Sequence, residues 1–388
     1  MNLITDTAAL AGFCARQQSA NFVAVDTEFM RERTYWPILC LVQVAGPEEA
    51  AAIDALADGI DLAPLLALMA DDRVPKVFHA ARQDLEIFYK LAGNVPKPLF
   101  DTQVAAMVCG FGDSASYERL VAKLAGTALD KSSRFTDWAH RPLTERQIRY
   151  ALDDVIHLRT VYERLQQKLS ANGRAAWFAE EMAELVNPDI YRADPADSWR
   201  RFRLRGRADR RFLGVLRELA AWRELAAQQR DLPRGRIMRD EAVLEIAAHT
   251  PKTIEALGRT RSLGRGVAEG RLGQEILAAV ARGLANPAAP EPEAVKAEPP
   301  AGLGPLIELL RVLLKQRCED HEVAQKLVAS ADDLEAIAAD DNAPVRALAG
   351  WRHEIFGKDA LALKHGRLAL TAGRNRIELV ELPAAVAM

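Results

Sequence analysis

An α/β domain followed by two mainly helical domains is the architecture this sequence predicts. Three observations carry it. A short apolar meander gives way to alternating strand and helix patterns over the first 190 residues. Apolar positions in 212–229 and 241–248 recur at helical spacing. The run ANPAAPEPEAVKAEPPAGLGP (285–305) has no core-forming pattern and reads as a linker. The domain limits that follow are 1–190, 206–286 and 305–388, with a Pro/Ala/Glu-rich linker at 287–304.

The elements follow in order. Residues 22–27, 38–45 (ILCLVQVA) and 51–54 (AAID) suit strands, and their short connections favour antiparallel neighbours. DLAPLLALMA (61–70) predicts a helix, VPKVFHA (74–80) a strand, and RQDLEIFYKLAG (82–93) a helix closed by Gly93. Helices are expected at about 102–109, 117–125 and 144–169. Beyond RRFRLRGRADRR (200–211) the chain is helical, with Pro233 and Gly235 interrupting the pattern. A Pro/Ala/Glu linker is extended and mobile, which predicts a third unit that moves relative to the rest. That unit is expected to be helical at 306–316 and 323–329. ALALKHGRLAL and RIELVEL then alternate apolar and polar residues like strands.

Apolar residues make up 49% of the chain and charged residues 27%, the balance of a soluble globular protein. MNLITDTAALAGFCARQQ lacks a basic region followed by an apolar core, and no apolar run approaches the length of a membrane span. Cys14, Cys40, Cys109 and Cys318 form no C-x-x-C pair and read as reduced, packed thiols. A cytoplasmic, monomeric protein without a membrane partner is expected. The formal net charge is −3, but 200–285 holds 19 Lys plus Arg against 10 Asp plus Glu. A basic middle beside an acidic remainder suggests a polyanion-binding module attached to something else.

The chemistry starts at FVAVDTEF (22–29). A strand points Asp26 and Glu28 to one face and Thr27 to the other. Two carboxylates this close at the end of an apolar strand repel each other. Either the strand runs out into water, or a hard cation such as Mg²⁺ or Mn²⁺ sits between them. Asp84 falls in the first turn of a helix that follows a strand. It suits the helix dipole there, and it can equally face the crevice at the strand ends. Asp101 in LFDTQVAAMV has the position of a helix N-cap. In RQIRYALDDVIHL (146–158), Asp153 lies three residues and Asp154 four residues beyond Tyr150. Helical spacing does not choose between the two acids.

These stretches carry a resemblance. VDTEF, FHAARQDLEIF and RYALDDV resemble the three exonuclease motifs of the DEDD superfamily, in the branch whose last motif is Y-x-x-x-D. DTQVAAM and LDKSSRFTDWAHRPLTERQIRYALDDV narrow it to the ribonuclease D family, over about residues 3–190. VLRELAAWRELAAQQRDLPRGRIMRDEAVLEIA, continuing to about 285, is similar to the HRDC domain, and the third unit resembles a divergent second copy. The third unit carries 11 basic against 13 acidic residues, which weakens an RNA-binding role for it.

The resemblance implies a ribonuclease H-like α/β 3′–5′ exonuclease domain followed by two HRDC-like domains. It assigns Asp26, Glu28, Asp84 and Asp154 as metal ligands, Tyr150 as the catalytic tyrosine, and leaves Asp153 in an open position. Two divalent ions, Mg²⁺ or Mn²⁺, are the implied cofactors. The implied function is metal-dependent 3′–5′ exoribonuclease action releasing nucleoside 5′-monophosphates, on transfer RNA precursors and other structured RNAs. Lys131 falls near the cleft by the same resemblance; a solvated loop lysine is the other reading. Arg200, Arg201, Arg203 and Arg205 belong to a stretch that is either a phosphate track or a solvated face paired with acidic surface. A DNA exonuclease of the same chemistry and a non-catalytic RNA tether are the alternatives. The five intact site residues argue against the tether.

Overall fold

The computed structural model describes residues 2–129, 136–202, 204, 209–288, 302–374 and 376–383. The chain divides into two compact units. One comprises Met1–Glu28, Leu39–Ile190 and Pro299–Met388; the other comprises Phe29–Ile38 and Tyr191–Glu298.

The first unit is built on a six-stranded sheet of β1 (Leu3–Ile4), β2 (Val23–Met30), β3 (Ile38–Ala45), β4 (Ala50–Asp54), β5 (Lys76–Phe78) and β6 (Leu99–Asp101), in the order β1-β4-β3-β2-β5-β6. The short β3–β4 connection gives an antiparallel pair, while β5 runs parallel to both β2 and β6. Around the sheet lie α1 (Thr7–Gln17), α2 (Ala63–Ala70), α3 (Arg82–Ala92), α4 (Thr102–Val108), α5 (Tyr117–Leu120), α6 (Glu145–Ala171) and α7 (Ala175–Leu185). Gly93 closes α3 in the left-handed conformation, at φ 70°. A reciprocal capping box between Thr144 and Gln147 starts α6. β1 and β6 escaped the sequence reading because two or three residues are too few to show a period. The reading also gave no element to α1 or α7.

The second unit is helical: α8 (Arg210–Arg230), α9 (Arg234–Ile237), α10 (Asp240–His249), α11 (Ile254–Leu257), α12 (Arg265–Glu269) and α13 (Arg271–Ala285). Its core includes Leu213, Leu216, Leu219, Val243, Ile246, Ile276 and Val280. α8 and α13 meet through glycines. A Cβ on Gly283 would stand 2.4 Å from Val215 Cα, and one on Gly214 would stand 2.5 Å from the Gly283 carbonyl oxygen. Residues 29–38 belong to this unit. The Tyr35 hydroxyl donates to Glu224, and Asp231 accepts from the amides of Tyr35 (3.1 Å) and Trp36 (3.0 Å). Burial acts to raise the Glu224 carboxyl, but hydrogen bonds from Arg234 and Tyr35 outweigh it and hold the group below its ordinary value.

The C-terminal region rejoins the first unit as α14 (Gly304–Asp320), α15 (Gln325–Val328), α16 (Ala331–Ala339), α17 (Gly350–Arg352), α18 (Lys358–Lys364) and the antiparallel hairpin β7 (Leu368–Ala372) and β8 (Ile377–Glu381). ALALK, expected to be strand, instead completes α18, and the strand begins only at Leu368. Ala and Leu are strong helix formers, and Gly366 in the left-handed region (φ 67°) separates the helix from the strand. The expected motion of this region meets a shared core instead. Leu310, Leu313, Val328 and Phe356 lie in one buried cluster with Met107, Val108, Leu165 and Leu169 of the exonuclease region. Trp351 stacks on Trp177 with centroids 4.3 Å apart. The Ala324 amide donates to the Met107 carbonyl at 3.0 Å. Most of the linker lies outside the described residues.

Cys14, Cys40, Cys109 and Cys318 are buried free thiols, as the sequence led us to expect. No helix among the described residues is long and apolar enough to cross a membrane.

Candidate active site

β2 is buried through Val23, Ala24 and Val25 and then presents Asp26 and Glu28 on one face. α6 brings Asp154 to them. One ligand oxygen from each of Asp26, Glu28 and Asp154 lies within 4.8 Å of the others. Thr27 points the opposite way, as strand alternation requires, and its hydroxyl donates to Asp84. Asp84 is buried in the first turn of α3 and feels the charge of Asp26, but it stands outside the three-residue group. The Tyr150 hydroxyl donates to Asp154. Asp153 also stands outside the group, and its backbone carbonyl accepts from the Tyr117 hydroxyl at 3.2 Å.

Electrostatics here is unfavourable in a way that suits a cation. Burial pushes the Glu28 carboxyl up, and the charges of Asp26, Asp154 and Asp84 push it further. Asp154 is raised by burial and then by Asp26, Asp153 and Glu118. Asp84 is raised well above its ordinary value by burial and by Asp26, against the pull of Thr27. Asp26 is raised by burial, opposed by a backbone hydrogen bond from Thr27. An all-oxygen donor set under mutual repulsion fits a hard divalent cation.

Asp101 is the N-cap that its sequence position suggested, accepting from the Gln103 amide at 2.8 Å. It also accepts from the amides of Ala80 (3.0 Å) and Ala81 (2.8 Å). Ala80 is held at φ 59°, a region costly for a residue with a Cβ. One carboxylate thus fixes both the start of α4 and the turn that launches Asp84. The second role depends on contacts 20 and 21 residues away, which spacing cannot reveal.

A cavity of about 370 Å³ opens over this chemistry, lined among others by Asp26, Tyr150, Asp154, His79, Tyr117 and Glu118. The last three were not singled out from the sequence. His79 lies five residues before Asp84 at the end of β5, and that placement was the available signal. Its ring centroid is 5.6 Å from that of Tyr117, and burial lowers its affinity for a proton.

Comparison with known proteins identifies the family. Residues 1–170 match the family described as 3′–5′ exonuclease, and residues 212–280 match the HRDC domain. The chain is 51% identical to the ribonuclease D of Nitrobacter hamburgensis, over 98% of this chain and 100% of that protein. The chain belongs to the ribonuclease D family. The ribonuclease D of Granulibacter bethesdensis is 50% identical over 97% of this chain and 96% of its own. The crystal structure of Escherichia coli RNase D, described as an exoribonuclease involved in structured RNA processing, matches with a TM-score of 0.79 and 30% identity. The match covers 94% of this chain and 100% of that one. Exoribonuclease action from the 3′ end and dependence on divalent metal are properties of the ribonuclease D family.

The basic residues singled out from the sequence are placed less informatively. Lys131, Arg203 and Arg205 lie outside the described residues. Arg200 is exposed, but its guanidinium pairs with Asp197 at 3.1 Å and sits 5.1 Å from the Trp199 ring centroid. Arg201 is exposed, with Arg234 and Glu224 among the charges it feels.

Proposed function

We propose that this member of the ribonuclease D family hydrolyses RNA one nucleotide at a time from the 3′ end, trimming transfer RNA precursors and other structured RNAs. Asp26, Glu28, Asp84 and Asp154 hold two divalent ions, Mg²⁺ or Mn²⁺. When bound, the ions supply activation of water and stabilisation of charge on the phosphate and the departing 3′ oxygen. Tyr150, hydrogen-bonded to Asp154, orients the attacking water through its hydroxyl. Thr27 and Asp101 act at one remove. Thr27 fixes the rotamer of Asp84, and Asp101 fixes the turn that carries it. The water oxygen bonds to phosphorus, the bond to the 3′ oxygen breaks, and a nucleoside 5′-monophosphate leaves. The shortened strand keeps a 3′ hydroxyl.

The observation that carries this reading is the convergence of Asp26, Glu28 and Asp154 within 4.8 Å beside Tyr150. The test is digestion of a transfer RNA precursor, and of matched RNA and DNA strands, with Mg²⁺ or with chelator. Release of nucleoside 5′-monophosphates from RNA, abolished by chelator, is the expected result. Preferential digestion of DNA would assign the same chemistry to a DNA exonuclease, and binding without digestion would leave a tether.

A further inference from the structure

The cavity over the carboxylates raises a question about charge. Its lining holds the acids Asp26, Glu118, Asp153 and Asp154, and no lysine or arginine among the described residues. Metal ions answer for the scissile phosphate alone. A further phosphate of an RNA strand gains affinity where a cation meets it. A second cavity, of about 300 Å³, lies along the first turns of α6 and is lined by Glu145, Arg146, Arg149, Tyr150 and Asp153. Tyr150 and Asp153 line both cavities, so the second adjoins the catalytic one.

Helix geometry explains the adjacency. Arg146 is four residues before Tyr150, and Arg149 is four before Asp153, so the four side chains form one stripe on α6. The helix dipole does not account for Arg146. Thr144 caps the helix, which puts Glu145 and Arg146 in its first turn. An acid there complements the helix dipole, whereas a cation opposes it. The dipole therefore favours Glu145 at this position and not Arg146. Both arginine residues are exposed. A guanidinium matches phosphate geometry through paired donors.

We propose that Arg146 and Arg149 bind the RNA phosphate immediately 5′ of the scissile one, forming a backbone subsite that continues from Tyr150. The inference rests on the exoribonuclease reading above. It places the first charge contact of the retained strand on α6, next to the chemistry. It predicts that the enzyme prefers substrates with at least two phosphodiesters.

Short RNAs test this directly. A dinucleotide offers only the scissile phosphate, and a trinucleotide adds the next one. Wild-type protein should show a kcat/KM at least about tenfold higher on the trinucleotide, the scale of one charge-assisted contact. Arg146→Gln with Arg149→Gln should remove most of that advantage through KM, leave kcat at saturation nearly unchanged, and reduce the salt slope on the trinucleotide by about one. Arg149→Lys beside Arg146→Lys should restore part of the advantage, because charge is kept and the paired donors are lost. A trinucleotide advantage that survives the double glutamine substitution overturns the assignment of the arginines alone. Wild-type protein that leaves both RNAs and the transfer RNA precursor intact with Mg²⁺ overturns the exoribonuclease reading beneath it.

Discussion

At the scale of single residues, repulsion among Asp26, Glu28, Asp84 and Asp154 is what makes the site readable. Each carboxyl is held above its ordinary value by burial, and Glu28, Asp84 and Asp154 are raised further by their neighbours. Removing one ligand should therefore cost chemistry more than affinity. Asp26→Ala should lower the rate of RNA hydrolysis by at least about a hundredfold, more than losing a supporting partner of a metal ligand does, while filter binding of RNA stays largely intact. Trimming at a near wild-type rate would remove the assignment. Asp153 and Asp154 give a sharper comparison, since spacing left them tied and only Asp154 joins the group within 4.8 Å. Asp154→Asn should be inactive and Asp153→Asn nearly normal in the same assay; the reverse result would mean that the register of α6 is misread. The strand pair Asp26 and Glu28 was legible because alternation is local. Thr27 on Asp84, and Asp101 on the turn before α3, were not, because each contact spans at least 20 residues and depends on the finished sheet.

Elements obey the same division. Long periodic helices such as α6 and α8 were legible, as was the antiparallel β3–β4 pair that its short connection demands. ALALK was misread because five residues of alternating apolar pattern satisfy a strand, while intrinsic propensity and the following Gly366 favour a helix end. The glycine crossing of α8 and α13 was invisible for another reason: a glycine in a helix advertises nothing about what approaches it. Gly283→Ala tests that crossing. Its new methyl would stand 2.4 Å from Val215 Cα and 2.7 Å from the Gly214 carbonyl oxygen, both backbone atoms that cannot rotate aside. The substitution should destabilise the helical unit by about 1–3 kcal/mol or more, read as a lower denaturant midpoint in the full chain. Trinucleotide hydrolysis under native conditions should be unchanged. An unchanged midpoint would show that the two helices are not packed as closely as described.

For the whole molecule, the question is whether residues 302–388 are a tethered passenger or part of the catalytic body. Linker composition pointed to a passenger, since Pro, Ala and Glu predict separation and composition carries no information about what the attached unit touches. The contacts point the other way. Arg352 is 2% exposed; it donates to the Leu327 carbonyl at 2.7 Å and to Glu180 at 2.5 Å, and also reaches Glu181. Arg346 meets Glu181 at 2.5 Å and Glu184 at 2.9 Å. The Arg174 guanidinium bridges the carbonyls of Val108 and Glu322, at 2.9 and 2.8 Å. Together with the shared apolar cluster, these contacts should hold the region in place without a covalent link. A protease site inserted between Ala288 and Gly302, then cleaved, should leave the two fragments eluting as one species in size exclusion. Arg352→Met should weaken that association, because Glu181 loses one of the two guanidiniums that pair with it among the described residues, and the Leu327 carbonyl loses its buried donor. Fragments that separate immediately after cleavage of the otherwise wild-type chain would restore the passenger view, and the common core would have to be abandoned.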